Sequence, residues 1–344
     1  MNNIVKIIAP LDIDSLDIPY IVKSRPRIEE YVNALNKPIN FRRDNIIIRE
    51  LANVEDVDDK VIREVYTEVH SEDLYFHTRS KPFFRRLMSI TCKALREILE
   101  DSESRINILV YQPPDLWAGR TFLRKCSIFS ISTYIAKKIS TRSMILCIDV
   151  HFCYGIYDIV MELRDIVKIP TVAVCSLSDL DTKIFRRVKK EPWSVLPIPI
   201  PPGSRDDIAD LALDLALRLV EKYSPEVLVV PLGLDMYKED LIGEFMISAD
   251  FYYDLGYRLL SLFEAFPLKK IVVVTECASS RASIERAFTN FVAGIAGVEK
   301  PYHEAITRES SETILNIAKE SFSKVRKLIA KFWRIRLRKP SPKI

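Results

Sequence analysis

Three side chains in this sequence have the types and spacing of a metal site. Asp149 and His151 lie two apart in CIDVHFCYG, so on an extended chain both point to the same side. Asp235 follows a glycine in PLGLDMYKED. Two carboxylates and one imidazole form a three-ligand set with an open position, suited to zinc and also to iron or manganese. The same pattern fits a plainer reading, a capping aspartate beside a packed histidine. The stretch PPDLWAGR (Pro113–Arg120) raises the opposite question. It follows an apolar run, where a catalytic loop often lies, yet Leu116 and Trp117 carry no acid–base chemistry.

Something must hold these residues at strand ends. Six short runs are apolar almost throughout: Ile106–Tyr111, Met144–Val150, Thr171–Ser176, Val195–Ile200, Glu226–Pro231 and Lys270–Thr275. Such runs suit strands buried on both faces. Helical patterns are expected between most of them, at Thr121–Ile139, Tyr157–Val167, Asp206–Lys222, Ser248–Phe266 and Arg281–Ala296. Further helices are expected at Arg25–Leu35, Asp56–Val69, Pro82–Leu99 and Ser311–Lys331. Strand–helix alternation predicts an α/β fold of three layers, a mainly parallel sheet flanked by helices. Sites in such sheets lie in loops past the carboxyl ends of the strands.

Composition sets outer bounds. The 344 residues are 48% hydrophobic and 28% charged, as expected of a globular chain with a sizeable core. No apolar run approaches the ~20 residues of a membrane span, and MNNIVKIIAPLDID has neither the basic start nor the cleavage site of a signal peptide. The six cysteines show no CxxC spacing and read as reduced core thiols, so a cytoplasmic location is expected. Glycine is scarce, at 8 where average usage of about 7% would place roughly 24. Tight ligand-wrapping loops therefore have few glycines to draw on.

Charge is uneven. From Lys324 to Ile344 there are nine Lys and Arg and no acid, which leaves 42 basic and 47 acidic residues elsewhere, a net −5. With no Gly-, Ser- or Pro-rich linker, the expected organisation is one α/β domain over residues 1–333 and a basic tail over 334–344. The tail suits contact with nucleic acid, an acidic protein or an anionic membrane surface.

The order of the segments resembles the histone deacetylase / acetylpolyamine amidohydrolase family of the arginase–deacetylase fold. DVHFCYG is similar to the family's Asp-Val-His-His-Gly-Asn-Gly segment, PIPIPPGSRDD to Pro-Leu-Pro-Pro-Gly-Thr-Gly-Asp, and GLDMYKEDLIG to Gly-Phe-Asp…Asp-Pro-Leu-Gly. VHSEDLYF and SRPRIEEYVNAL resemble its Val-His-Ser-Pro-Glu-Tyr and Arg-Pro-x-Arg elements. The resemblance implies the deacetylase fold, with Asp149, His151 and Asp235 at the three ligand positions for zinc.

It also implies losses. The family loop matching PPDLWAGR reads Pro-Pro-Gly-His-His-Ala-Gly-Arg, and its paired histidines are the general acid and base of amide hydrolysis. Leu116 and Trp117 stand in their places, with Asp115 in place of the glycine. The tyrosine of Glu-Gly-Gly-Tyr-Asn, which polarises the scissile carbonyl, corresponds to Ser279 in ECASS. The residues lining the acyl-lysine channel match Lys125-Cys126-Ser127, and an aspartate two before the first ligand matches Cys147. General acid–base help is worth about 10²–10⁴-fold and an oxyanion donor about 10²–10³-fold. The expected function is thus a catalytically inactive, deacetylase-like protein that acts by binding. One alternative is an active zinc-dependent deacetylase of acetyl-lysine or acetylpolyamine with Asp115 as substitute base. Another is a metal-free structural subunit. His70 and His77 are read as structural, and Trp117 as filling the space where an acyl-lysine would enter.

Overall fold

The structure, a computed structural model, describes residues 4–18, 27–38, 45–166, 168–181, 183–184, 186, 194–304 and 308–333. The expected tail, 334–344, lies outside them. Eight strands form one sheet: β1 (Val5–Ala9), β2 (Ile46–Glu50), β3 (Ile106–Leu109), β4 (Ser143–Ile148), β5 (Thr171–Ser176), β6 (Val195–Ile200), β7 (Val227–Leu232) and β8 (Lys270–Thr275). The order is β2-β1-β3-β8-β7-β4-β5-β6, and every pairing is parallel. Helices cover both faces, which is why β3 to β7 are buried at every residue. The mainly parallel α/β architecture expected above is therefore the one observed.

Local chemistry explains the strand positions. Pro197 and Pro199 sit in β6, an edge strand, at alternate positions whose missing N–H groups share one side. Pro231 lies in central β7, and the β7–β4 register is interrupted there, between Ile145↔Val229 and Ile148↔Leu232. Strands β1 and β2 were not expected from the sequence. Each is five residues long, and β2 is largely solvated as an edge, so neither shows the long apolar run of the central strands.

Among the described residues the helices are α1 (Ile28–Asn36), α2 (Asp59–Thr67), α3 (Glu72–Thr78), α4 (Phe84–Leu99), α5 (Ile131–Ile139), α6 (Tyr154–Leu163), α7 (Asp206–Tyr223), α8 (Ala249–Ala265), α9 (Thr289–Ala296) and α10 (Glu312–Leu328). A π-helical stretch, Ser283–Phe288, leads into α9. Helix α3 begins in the VHSEDLYF segment and runs two residues past it, and Ser71 caps it by accepting from the Leu74 N–H.

The largest departure is at Thr121–Ile139. Only Ile131–Ile139 is helical, and residues 113–130 form a folded loop. Tertiary hydrogen bonds override the helical pattern there. Gly119 N–H donates to Phe122 O at 2.9 Å, and Arg124 N–H to Trp117 O at 3.2 Å. Lys125 adopts a left-handed conformation, with φ of 51°. Helix α5 begins where Asp115 Oδ2 accepts from the Ser132 N–H at 2.5 Å. A buried carboxylate thus sits on the helix N-terminus, where the dipole favours it.

His70 ties this loop to the body. Its ring is wholly buried, with Nδ1 2.7 Å from Gly119 O and Nε2 3.1 Å from the Ser130 nitrogen. A carbonyl only accepts and an amide N–H only donates, so Nδ1 carries the proton and Nε2 does not. The expected structural role of His70 is the one observed. Burial pulls its pKa down to about 3. An unfolded histidine takes up a proton near 6.5, whereas the folded one stays neutral until far lower. Its contribution to stability is therefore complete above pH 6.5 and declines as pH falls toward 3. From pH 7.5 to 5 this one group should remove about 2 kcal/mol of stability. Urea denaturation at both pH values should show a shallower pH dependence for His70→Gln than for the natural protein. Equal pH dependence would show that His70 is not the group responsible.

Candidate metal centre

Strands β8, β7 and β4 are neighbours at the middle of the sheet. The ladder continues past their carboxyl ends. Glu276 N–H donates to Leu232 O at 2.8 Å, Leu234 N–H to Cys277 O at 2.7 Å, and Gly233 N–H to Ile148 O at 2.7 Å. Three successive loops are thereby locked together. They bring Asp149 and His151 from β4, Asp235 from β7 and Cys277 from β8 to one place, with a donor atom of each within 4.8 Å of the others.

The contacts within the cluster are close. His151 Nδ1 lies 3.0 Å from Asp149 Oδ1 and 2.9 Å from Asp235 Oδ2. Asp149 Oδ1 also accepts from the His151 backbone N–H at 2.7 Å, and Asp235 Oδ1 from the Val150 N–H at 3.1 Å. Gly233 makes room for this. A Cβ there would fall 2.2 Å from Asp149 Oδ2 and 2.7 Å from Asp235 Oδ1. So one of the few glycines stands where any side chain would push the carboxylates apart. Asp149 Oδ2 is buried without a hydrogen-bond partner, and Asp235 Oδ2 has the His151 ring nitrogen as its neighbour.

These features fit a divalent metal ion. The orphaned Asp149 oxygen, the Asp235 carboxylate and the imidazole lie together, and donors held at ~2.0–2.2 Å from a common ion must be near neighbours. Without an ion, the carboxylates act on the imidazole. Burial pulls the His151 pKa down, but hydrogen bonds and charge from Asp149 and Asp235 outweigh it and raise the value to about 10. Burial, then the charge of Asp149, raises Asp235 to about 8.

The other expected site residues are packed or engaged. Leu116 is wholly buried, and its carbonyl accepts from the Gly155 N–H at 2.7 Å. Trp117 is 3% exposed, and its ring meets His151 edge-on at 5.0 Å between centroids. Lys125 Nζ lies 3.7 Å from the centroid of the Trp117 ring. Lys125, Trp117 and His151 thus form a stack over the cluster, joined by a cation–π contact. Ser279 Oγ donates to Asp240 and accepts the N–H groups of Leu241 and Ile242, so its hydroxyl holds a loop.

Asp115 is wholly buried and faces α5 and Glu276. Its own N–H donates to Glu276 Oε2 at 2.9 Å. Burial pushes both carboxyl groups above the usual range, Glu276 the further, because the charge on Asp115 adds to it. Cys147 is buried beside Cys153, and burial keeps its thiol protonated well above the ordinary range.

Cys277 was missed as a site residue. Read as a core thiol, it is buried as expected, but among the candidate ligands. The signal was present: it stands two residues past β8, as Asp149 stands one past β4 and Asp235 three past β7.

Residues 28–295 match the family described as the histone deacetylase domain, more than half of the chain. Acetylpolyamine amidohydrolase 1 of Pseudomonas aeruginosa is 39% identical over 64 residues, which cover 19% of this chain and 18% of that protein. The crystal structure of the HDA15 HD domain superimposes with a TM-score of 0.69 at 13% identity, over 97% of this chain and 96% of that one. The sheet order, the site at the ends of three central strands and the extent of these matches agree: the chain belongs to the histone deacetylase family.

Proposed function

We propose that this chain is a catalytically degenerate member of the family, which holds a metal ion at Asp149, His151 and Asp235 and acts by binding. The observation that carries the reading is the stack of Lys125 and Trp117 over His151. A general base must lie within hydrogen-bond reach of the water it activates. Here the ring that meets His151 is an indole, which only donates. Of the carboxyl group of Asp115, the one substitute base the loop offers, Oδ2 is taken by the N-terminus of α5, and the whole residue is buried. The Ser279 hydroxyl is committed to Asp240 and the loop after it. A bound zinc ion would supply Lewis acidity, but none of these side chains is placed to move the proton that hydrolysis requires.

Metal retention is testable through protons. His151 is protonated at neutral pH when its neighbours are the two aspartates alone, so loading must displace that proton. Zinc titration of chelator-stripped protein should release at least one proton per ion at pH 7. Affinity should fall roughly tenfold for each pH unit and each proton displaced. Calorimetry in buffers of different ionisation enthalpy measures this. Absence of stoichiometric binding would favour the metal-free structural subunit.

For catalysis, the missing acid–base pair and oxyanion donor together remove on the order of 10⁴-fold or more. Zinc-loaded protein should hydrolyse acetyl-lysine peptides and acetylpolyamines no faster than its Asp149→Ala variant. Turnover lost in both Asp149→Ala and Asp115→Asn would overturn the degenerate reading.

The basic tail 334–344 supplies the second half of the proposal, a polyanion contact. It carries five of the chain's cations and no acid. With DNA as probe, the log–log salt slope should approach −4 to −5, about −0.9 per neutralised phosphate. Deletion of residues 334–344 should abolish the binding. Binding that survives the deletion with the same slope would rule the tail out, and preference for anionic vesicles over RNA and DNA would name the membrane surface instead.

A further inference from the structure

We infer that Cys277 is a fourth protein ligand, which makes this centre a closed zinc site without an open coordination position. The inference rests on the metal retention proposed above and goes beyond the three-ligand set of the family. Cys277 is wholly buried, and its thiol is one of the four donors that lie within 4.8 Å of one another. Its backbone is anchored. The Leu234 N–H to Cys277 O bond, at 2.7 Å, fixes it beside the Gly233–Asp235 segment. The family pattern Glu-Gly-Gly-Tyr-Asn has a glycine where ECASS has this thiol, so the donor is an addition.

Coordination chemistry then assigns the consequence. Zinc with four protein ligands is the arrangement of structural sites, whereas catalytic sites keep three and leave one position for water. Two carboxylates, an imidazole and a thiolate would give a zinc ion four donors from the protein alone. The buried carboxylates of Asp149 and Asp235 would supply two of them. The thiolate would add a third negative ligand, so a dication and its ligands would sum to −1, with no positive charge left to acidify water. A soft sulfur donor also selects zinc over manganese or magnesium. The closed site and the Trp117 cover are two features with one result: neither water nor a substrate carbonyl is needed to satisfy the ion. Its role is to tie β4, β7 and β8 together at their carboxyl ends.

The test reads sulfur directly. X-ray absorption on the zinc-loaded natural protein should show one sulfur scatterer at about 2.3 Å with the remaining ligands at ~2.0–2.2 Å. Cobalt substitution should give a thiolate-to-cobalt charge-transfer band in the near ultraviolet and the intense visible bands of tetrahedral coordination. In Cys277→Ser and Cys277→Gly that band should vanish, and zinc affinity should drop at least about 100-fold, beyond the loss typical of residues that only orient a ligand. One metal per chain with no sulfur scatterer and no charge-transfer band would overturn the role of Cys277 and leave metal retention standing. Failure to bind either ion would overturn both. The absorption measurement needs no variant, so a misfolded substitution cannot obscure the result.

Discussion

Four carboxyl groups buried at one end of the central strands set the problem the rest of this structure answers. Asp115, Asp149, Asp235 and Glu276 are each at most 1% exposed. A buried unpaired carboxylate costs several kcal/mol, and like charges in one place raise that further. The parallel sheet creates the situation, because every strand points its carboxyl end the same way. Each group is accommodated differently. Asp149 and Asp235 flank the His151 imidazole, Asp115 meets the first turn of α5, and Glu276 is pushed toward its neutral form.

These accommodations explain why the loop 113–130 reads as structure. An acid–base pair needs solvent or substrate beside it. Here Leu116 and Trp117 are core residues, Asp115 starts a helix, and Ser127 accepts from the Trp117 N–H. His70 fixes the loop from beneath through Gly119 and Ser130. The same positions that would serve a reaction in the family here supply burial and hydrogen bonds. Ser279 follows this pattern on the opposite side of the cluster, since its hydroxyl and N–H both meet Asp240.

Within this frame the glycines are informative despite being few. Gly233 leaves room for the facing carboxylates, and Gly243 lies where a Cβ would be 1.9 Å from the Asp235 carbonyl oxygen. Gly155 lets the backbone of Ala118 approach the start of α6. Three of the eight glycines thus serve close approach around the site, a concentration that the low total count conceals.

Much was legible in the sequence because burial on both faces leaves a plain signature. The apolar runs at Thr171–Ser176, Val195–Ile200 and Lys270–Thr275 coincide with β5, β6 and β8, and the Asp149-x-His151 spacing and the place of Asp235 after β7 followed from the strands themselves. Charged residues break the apolar runs of β1, at Lys6, and β2, at Arg49 and Glu50, which weakens their signal. The apparent helix before Ile131 dissolved because its hydrogen bonds close loop turns and, at Ser130, reach His70, which a helical period does not register. Residue types indicated which side chains could bind a metal, and the family resemblance indicated which positions differ from its acid–base groups. Only the tertiary structure decided that a cysteine from a third strand joins the aspartates and histidine, since adjacency of β4, β7 and β8 is a property of the sheet order, in which strands distant in sequence lie side by side.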